Sequence, residues 1–242
     1  MKKFLIFAIL LLFSLFSFGQ YSVGGRMGVN FSTITGRYSK DDGTKSGWVV
    51  SFPTIGAIGS YELTDMISLN AELLFITIGD KTKYSETGEG EKSSLSEYDY
   101  SNTERYHYFQ LPMMARFNFG DDFRYYGIAG LYFGYVLGAH YKDKFGDDVC
   151  KGRIRYKKTP DDPDDWYLDP KYNRRADFGL NLGGGVSKEI GPGNLEAELR
   201  IGMGFLDHNK FDDKDDKGDE YKPFRNMYIG LTFAYMYDLS KK

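Results

Sequence analysis

The chain has 242 residues, with 31 Lys and Arg against 34 Asp and Glu, a formal charge of −3 that gives no basis for a nucleic-acid partner. Its single cysteine, Cys150, rules out an intramolecular disulfide framework and reads as an incidental loop thiol. With 29 Gly, 20 Tyr and 19 Phe but only 7 Pro, the composition fits many short strands with crowded inner positions and interfacial rings, and an all-β chain of this size can be one domain.

Lys2 and Lys3 precede an uncharged apolar run from Phe4 to Phe18, and the small residues Ser17 and Gly19 stand before Gln20. This is the pattern of a secretory signal peptide, 1–19, with cleavage expected between Gly19 and Gln20. The remaining 20–242 forms the folded domain, and loss of the two lysines takes its formal charge to −5. No later apolar run approaches the roughly 18–20 residues of a membrane-spanning helix.

Strand-type alternation starts at once. Tyr21 to Ser32 puts Val23, Met27 and Phe31 on one face and Arg26 and Asn30 on the other. Thr33 to Gly47 reads as a polar loop. Trp48 to Tyr61 is a second strand whose facing is left open by Pro53, a residue that marks a bulge or an edge. A short turn around Thr64-Asp65 leads into Ile67 to Ile78, where Leu69, Ala71 and Leu73 alternate with Asn70 and Glu72. Gly79 to Asn102 is long, charged and rich in Ser and Glu.

Tyr106 to Phe119 sets Phe109, Leu111 and Met113 against Gln110, Met114 and Arg116. A tight turn at Gly120-Asp121-Asp122 is followed by Phe123 to Gly138, with Tyr125, Leu131, Phe133 and Tyr135 on one face. His140 to Arg174 is the longest loop. Asp177 to Glu189, the Gly191-Pro192-Gly193 turn and Leu195 to Phe205 form the next hairpin. In its second strand Leu195, Ala197, Leu199, Ile201, Met203 and Phe205 oppose Glu196, Glu198 and Arg200. Leu206 to Pro223 is a last polar loop, and Met227 to Tyr237 is the final strand.

The two faces of Leu195 to Phe205 fix the solvent. An exported strand can meet lipid outside and a polar lumen inside, and an Arg facing lipid at mid-bilayer would cost roughly 2–4 kcal/mol. Arg200 and its neighbours are therefore expected to point inward. Short and long connections alternate strictly along the chain, as in outer-membrane barrels. An open sheet edge in hydrocarbon would leave amides unpaired at several kcal/mol each, so the last strand must pair with the first.

Three segments, Tyr108 to Phe117 (Y-F-Q-L-P-M-M-A-R-F), Ala129 to Tyr135 (A-G-L-Y-F-G-Y) and Phe178 to Val186, resemble PorT-type outer-membrane β-barrels of Bacteroidota. The resemblance covers nearly the whole mature chain and implies a barrel associated with protein secretion and maturation at the cell surface. The chain departs from that pattern in ending Tyr237-Asp238-Leu239-Ser240-Lys241-Lys242, which moves the expected assembly signal a few residues inward.

The expected fold is all-β: a transmembrane antiparallel up-and-down β-barrel of about eight strands in the cell outer membrane, with long extracellular loops, short periplasmic turns and both mature termini periplasmic. Arg26, Glu72, Arg116, Glu196, Glu198 and Arg200 should form one inward charge network. Such a network either plugs the lumen or lines a proton or ion path, and the plug is favoured because an eight-stranded interior is just wide enough for side chains to fill.

His107, His140 and His208 fall near the expected rim, but no H-x-x-x-H spacing or tied nucleophile makes them a metal site or a hydrolase triad. Asp212 to Glu220 approaches a calcium loop but places Lys217 and Phe224 where oxygen ligands are required, and Asp161 to Asp165 is a second acidic run, so neither is assigned a metal. No catalytic residue and no cofactor is expected. Trp166, Tyr167 and Tyr172, in the longest loop, are the candidate binding residues.

The reading is a structural or surface-binding barrel, a monomer contacting outer-membrane lipid and a surface or secretion-related protein partner. The alternatives are a narrow channel, a surface acyl hydrolase or transferase, and a soluble lipocalin-like barrel.

Overall fold

The computed structural model describes residues 20–36, 44–84, 100–120, 123–157, 167–210 and 223–239. The expected signal peptide, Trp166 and both acidic runs lie outside these residues. In chain order the strands are β1 (Gln20–Thr35), β2 (Thr44–Gly47), β3 (Val49–Thr64), β4 (Ile67–Tyr84), β5 (Tyr100–Phe119), β6 (Phe123–Phe145), β7 (Asp148–Tyr156), β8 (Tyr167–Leu168), β9 (Ala176–Ile190), β10 (Gly193–Gly204) and β11 (Arg225–Asp238).

Eight of these close a ring of antiparallel neighbours, β1-β3-β4-β5-β6-β9-β10-β11. The ring shuts where β11 pairs with β1, from Ser22↔Asp238 to Thr35↔Arg225. That closure gives every ring strand two hydrogen-bonded neighbours, as hydrocarbon demands. The turns at 65–66 and 191–192 and the β5–β6 junction at Gly120 lie at one end, with both ends of the barrel chain, and the strand ends that lead into the long connections lie at the other.

The alternation seen in the sequence becomes an outside and an inside. Met27, Leu73, Met113, Leu199 and Phe233 face outward and are about half exposed, whereas Arg26, Glu72, Gln110, Glu198 and Arg200 are buried in the lumen. So continuous an apolar belt would be an aggregation surface in water, and in lipid it is the matched face. Exposed aromatic rings flank it: Phe119, Tyr125 and Tyr237 at the short-turn end, and Trp48, Phe205 and Tyr135 at the other. Among the described residues no helix is long and apolar enough to cross a membrane.

Two bulges reset the phase. Gly28 pairs with Thr54 and Asn30 with Ser51, so Val29 stands opposite both Phe52 and Pro53. The proline thus occupies a bulge, where a missing N–H is tolerated, and Ser51 and Thr54 both face inward. On β6, Leu137 is the extra residue between the pairs Tyr108↔Val136 and His107↔Gly138. Beyond it the even-numbered side chains of β6 face out.

The connections at the long-loop end differ from the sequence expectation. The described part of His140 to Arg174 is largely strand: β6 runs on to Phe145 and returns as β7, so Cys150 is an exposed strand residue opposite Asp143 and not a loop thiol. Likewise β4 continues to Tyr84, β5 begins at Tyr100, and β2 pairs with the top of β4. These extensions rise past the lipid belt, where the outer face meets water and the hydrophobic alternation that marks a strand disappears.

Candidate functional site

Inside the ring the six charged residues meet at one level. The Arg200 guanidinium donates to both oxygens of Glu72 at 2.9 Å each, and its Nη2 lies 2.6 Å from Glu198 Oε1. Arg26 Nη1 is 2.9 Å from the same Glu198 oxygen and donates to Thr232 Oγ1 at 2.6 Å. Its Nε and Nη2 lie 3.5 Å from Glu72 and 3.8 Å from Glu196. Arg116 pairs with Glu196, donates to Asn118 Oδ1 at 2.7 Å, and stacks 3.7 Å from the centre of the Tyr126 ring. Three arginines and three glutamates make the cluster formally neutral, which is what lets it exist away from water.

A second layer lies toward the long loops. Tyr228 donates to Asn181 Oδ1 at 2.8 Å, and Tyr132 donates to Asp177 Oδ2 at 3.0 Å. Asn226 Nδ2 bridges that same carboxylate oxygen and Tyr108 Oη, at 2.8 and 3.0 Å. The rings fit because small residues face them: a Cβ on Gly202 would stand 2.1 Å from the Tyr228 ring, and one on Gly179 would stand 2.6 Å from Tyr132. Above this layer Ile34, Ile76, Ile78, Tyr106, Val136 and Ile154 form an apolar cluster. The lumen filling thus turns from polar to mainly apolar at this level, with Asp80, Glu104 and Asp143 buried among the upper strands. At the top, the inner faces of the extended strands pack against each other as a small water-soluble domain would.

Residues 167–175 and 205–210 cover this cluster. Asp169 caps the first segment, accepting from Lys171 N through Oδ1 at 2.7 Å, and its carbonyl accepts from Asn173 N at 2.8 Å. The two segments are stitched by the Asn173↔Asn209 bridge and by Arg174 N donating to His208 O at 2.7 Å. A cavity of about 90 Å³ remains between them, lined by Tyr106, Tyr156, Arg174, His208 and Phe224. Arg175 donates Nη2 to Val136 O at 2.9 Å and stacks on Tyr135 and Tyr156. Burial pushes the Tyr156 phenol up, so it stays a neutral hydroxyl there.

Of the candidate loop residues, Tyr167 is exposed on β8 beside Arg155 of β7. Tyr172 is partly covered and accepts from Lys171 Nζ at 2.9 Å. Of the histidines, His107 and His140 lie 2.9 Å apart on the outer face just above the belt, with Thr77 Oγ1 3.0 Å from His107. Thr77 is fully buried, and His208 lies apart from this pair, in the second covering segment beside Tyr106. Among the described residues no three of His, Cys, Asp and Glu converge as a metal site.

Sequence reasoning did not single out Asp177 or the tyrosines Tyr108 and Tyr132. The alternation of their own strands placed each of them inward, and a count of large inward polar side chains would have found them.

A family model described as outer membrane protein beta-barrel domain matches residues 17–210. No curated protein is significantly similar to the chain. Similar solved structures include Ail, the attachment invasion locus protein of Yersinia pestis, at 10% identity over 89% of this chain and 98% of that one, with a TM-score of 0.34. OprG of Pseudomonas aeruginosa matches at 10% identity over 90% and 96%, with a TM-score of 0.41. The outer membrane protease OmpT of Escherichia coli matches at 9% identity over 91% and 96%, with a TM-score of 0.35.

Proposed function

The chain belongs to the outer membrane protein beta-barrel domain family, and from that premise we propose that it is a closed, non-conducting anchor that presents a binding platform on the cell surface. The long-loop end is taken as extracellular and both mature termini as periplasmic, the arrangement general to such barrels. The observation that carries the reading is the stacking of the neutral Arg–Glu cluster, the tyrosine layer and the apolar cluster, which together occupy the lumen. A chain that fills its bore with side chains and builds its covered structure at one end puts its variable surface in the loops.

The platform would serve as a surface or secretion-associated binding module, a role supported by the resemblance of Tyr108 to Phe117 and its companion segments to PorT-type barrels. An acyl hydrolase is disfavoured because the hydroxyl beside His107 belongs to the fully buried Thr77. A soluble lipocalin-like barrel would need a polar exterior, and this exterior is apolar. Planar-bilayer recording tests the proposal: the purified protein should show no stable large conductance, and a steady porin-sized current would overturn the closed-anchor reading in favour of a channel.

A further inference from the structure

The sheet formed by β4, β5, β6 and β7 above the belt separates its charges by face. Its carboxylates Asp80, Glu104 and Asp143 are buried on the inner side. On the outer side the strand register aligns Arg105, His140 and Arg153 in one rung. The next rung aligns Lys81, Lys142 and Lys151. The phase change at Leu137 is what turns His140 and Lys142 to this face. Among the described residues no carboxylate on this face opposes the two rungs, and none of the six side chains is ion-paired.

Lys142 stands directly opposite Lys151, and Arg153 opposite His140. The lysine pair sets like charges directly opposite each other, which destabilises a sheet unless an anion lies between them. The height of the rungs says which anion. Phe109 is the outward apolar residue of β5 nearest the long-loop end, and Arg105, four residues earlier in the chain, stands above it. At roughly 3.3 Å per residue and a strand tilt near 40°, that is about 10 Å beyond the belt. The headgroup zone extends roughly 5–8 Å past the hydrocarbon, within reach of Arg and Lys side chains that bend back toward it.

We propose that this outer face binds the phosphate-bearing headgroups of the lipid leaflet on the long-loop side. The assignment rests on the membrane-barrel reading above. A soluble polyanion could match the charge, but continuity with the lipid belt favours headgroups.

The test uses the full barrel refolded in neutral detergent and titrated with dioctanoyl phosphatidic acid or dioctanoyl phosphatidylcholine, with bound lipid read by native mass spectrometry. Each cation near an anionic lipid surface contributes about fivefold, so the protein should favour the phosphatidic acid by at least about tenfold. The combined variant Arg105→Gln, Lys142→Gln, Lys151→Gln, Arg153→Gln should lose that preference. The control Arg124→Gln, Lys188→Gln, at the short-turn end, should keep it. Equal binding of the two lipids by the unaltered protein, or an unchanged preference in the combined variant, overturns the proposal. Heparin is titrated in parallel as the soluble polyanion, and heparin binding that the combined variant loses, with no preference between the two lipids, assigns the face to a soluble polyanion and overturns the proposal. Heat-modifiable gel mobility scores folding separately, so failure of the barrel reading is distinguishable from failure of this one.

Discussion

Arg200 and Glu72, 128 residues apart on β10 and β4, meet across the lumen in a two-pronged ion pair with both N···O distances at 2.9 Å. Neither strand is hydrogen-bonded to the other, so the pair forms only when the ring closes. Glu72 also faces Arg26 at 3.5 Å, which makes it the anion shared by two buried cations.

Removing that anion should be costly. Glu72→Gln leaves Arg200 with Glu198 alone and Arg26 with Glu198 and the more distant Glu196, and breaking a buried pair costs about 3–5 kcal/mol. Adding Arg26→Gln restores neutrality and should recover part of the loss. Urea unfolding in detergent micelles measures both variants, and strictly additive losses would show that the cluster does not act as a unit.

A charge on the outer face should be penalised by depth. Leu199→Arg, at the middle of the β10 belt, should lower stability by roughly 2–4 kcal/mol, while Phe205→Arg at the belt edge should cost about 0–1 kcal/mol. Folding yields into phosphatidylcholine vesicles of differing urea content decide this. Equal penalties would mean that the belt is not centred on Leu199.

The tyrosine layer should resist filling of the space opposite it. Gly202→Ala puts a methyl into the Tyr228 ring, and overpacking of this kind costs about 1–3 kcal/mol. The double variant with Tyr228→Ala removes the clash while losing the bond to Asn181. The penalty of Gly202→Ala should vanish in the Tyr228→Ala background, and persistence of the full penalty would place its cause in the backbone.

Replacing Lys151 to Arg174 with a short Gly-Ser turn should leave the ring folded, because β6 pairs with β9 through 123–135 and 176–188 without them. It removes most of β7 and all of β8, so the apolar cluster loses Ile154 and the heat-modified transition should fall in temperature. Heat-modifiable mobility should survive, and capture of any surface partner recovered by the intact protein should not. An unaltered partner with unaltered affinity would move the binding surface to the barrel wall or the short turns.

Alternation alone made the eight ring strands legible, together with the inward facing of Arg26, Glu72, Arg116 and Arg200, because within the membrane the two faces of each strand meet different solvents. The signal failed where that difference failed. Above the belt both faces of β4 to β7 are polar at intervals, so His140 to Arg174 read as loop although most of its described part is sheet. The facing of β3 stayed open because the Pro53 bulge inserts one residue and reverses the phase, and only its pairing with β1 shows where. Which charge meets which was also beyond the sequence. Strand pattern gives each side chain a face but no height, and the partners of Arg200 follow from the stagger at which eight strands close, a property of the ring as a whole.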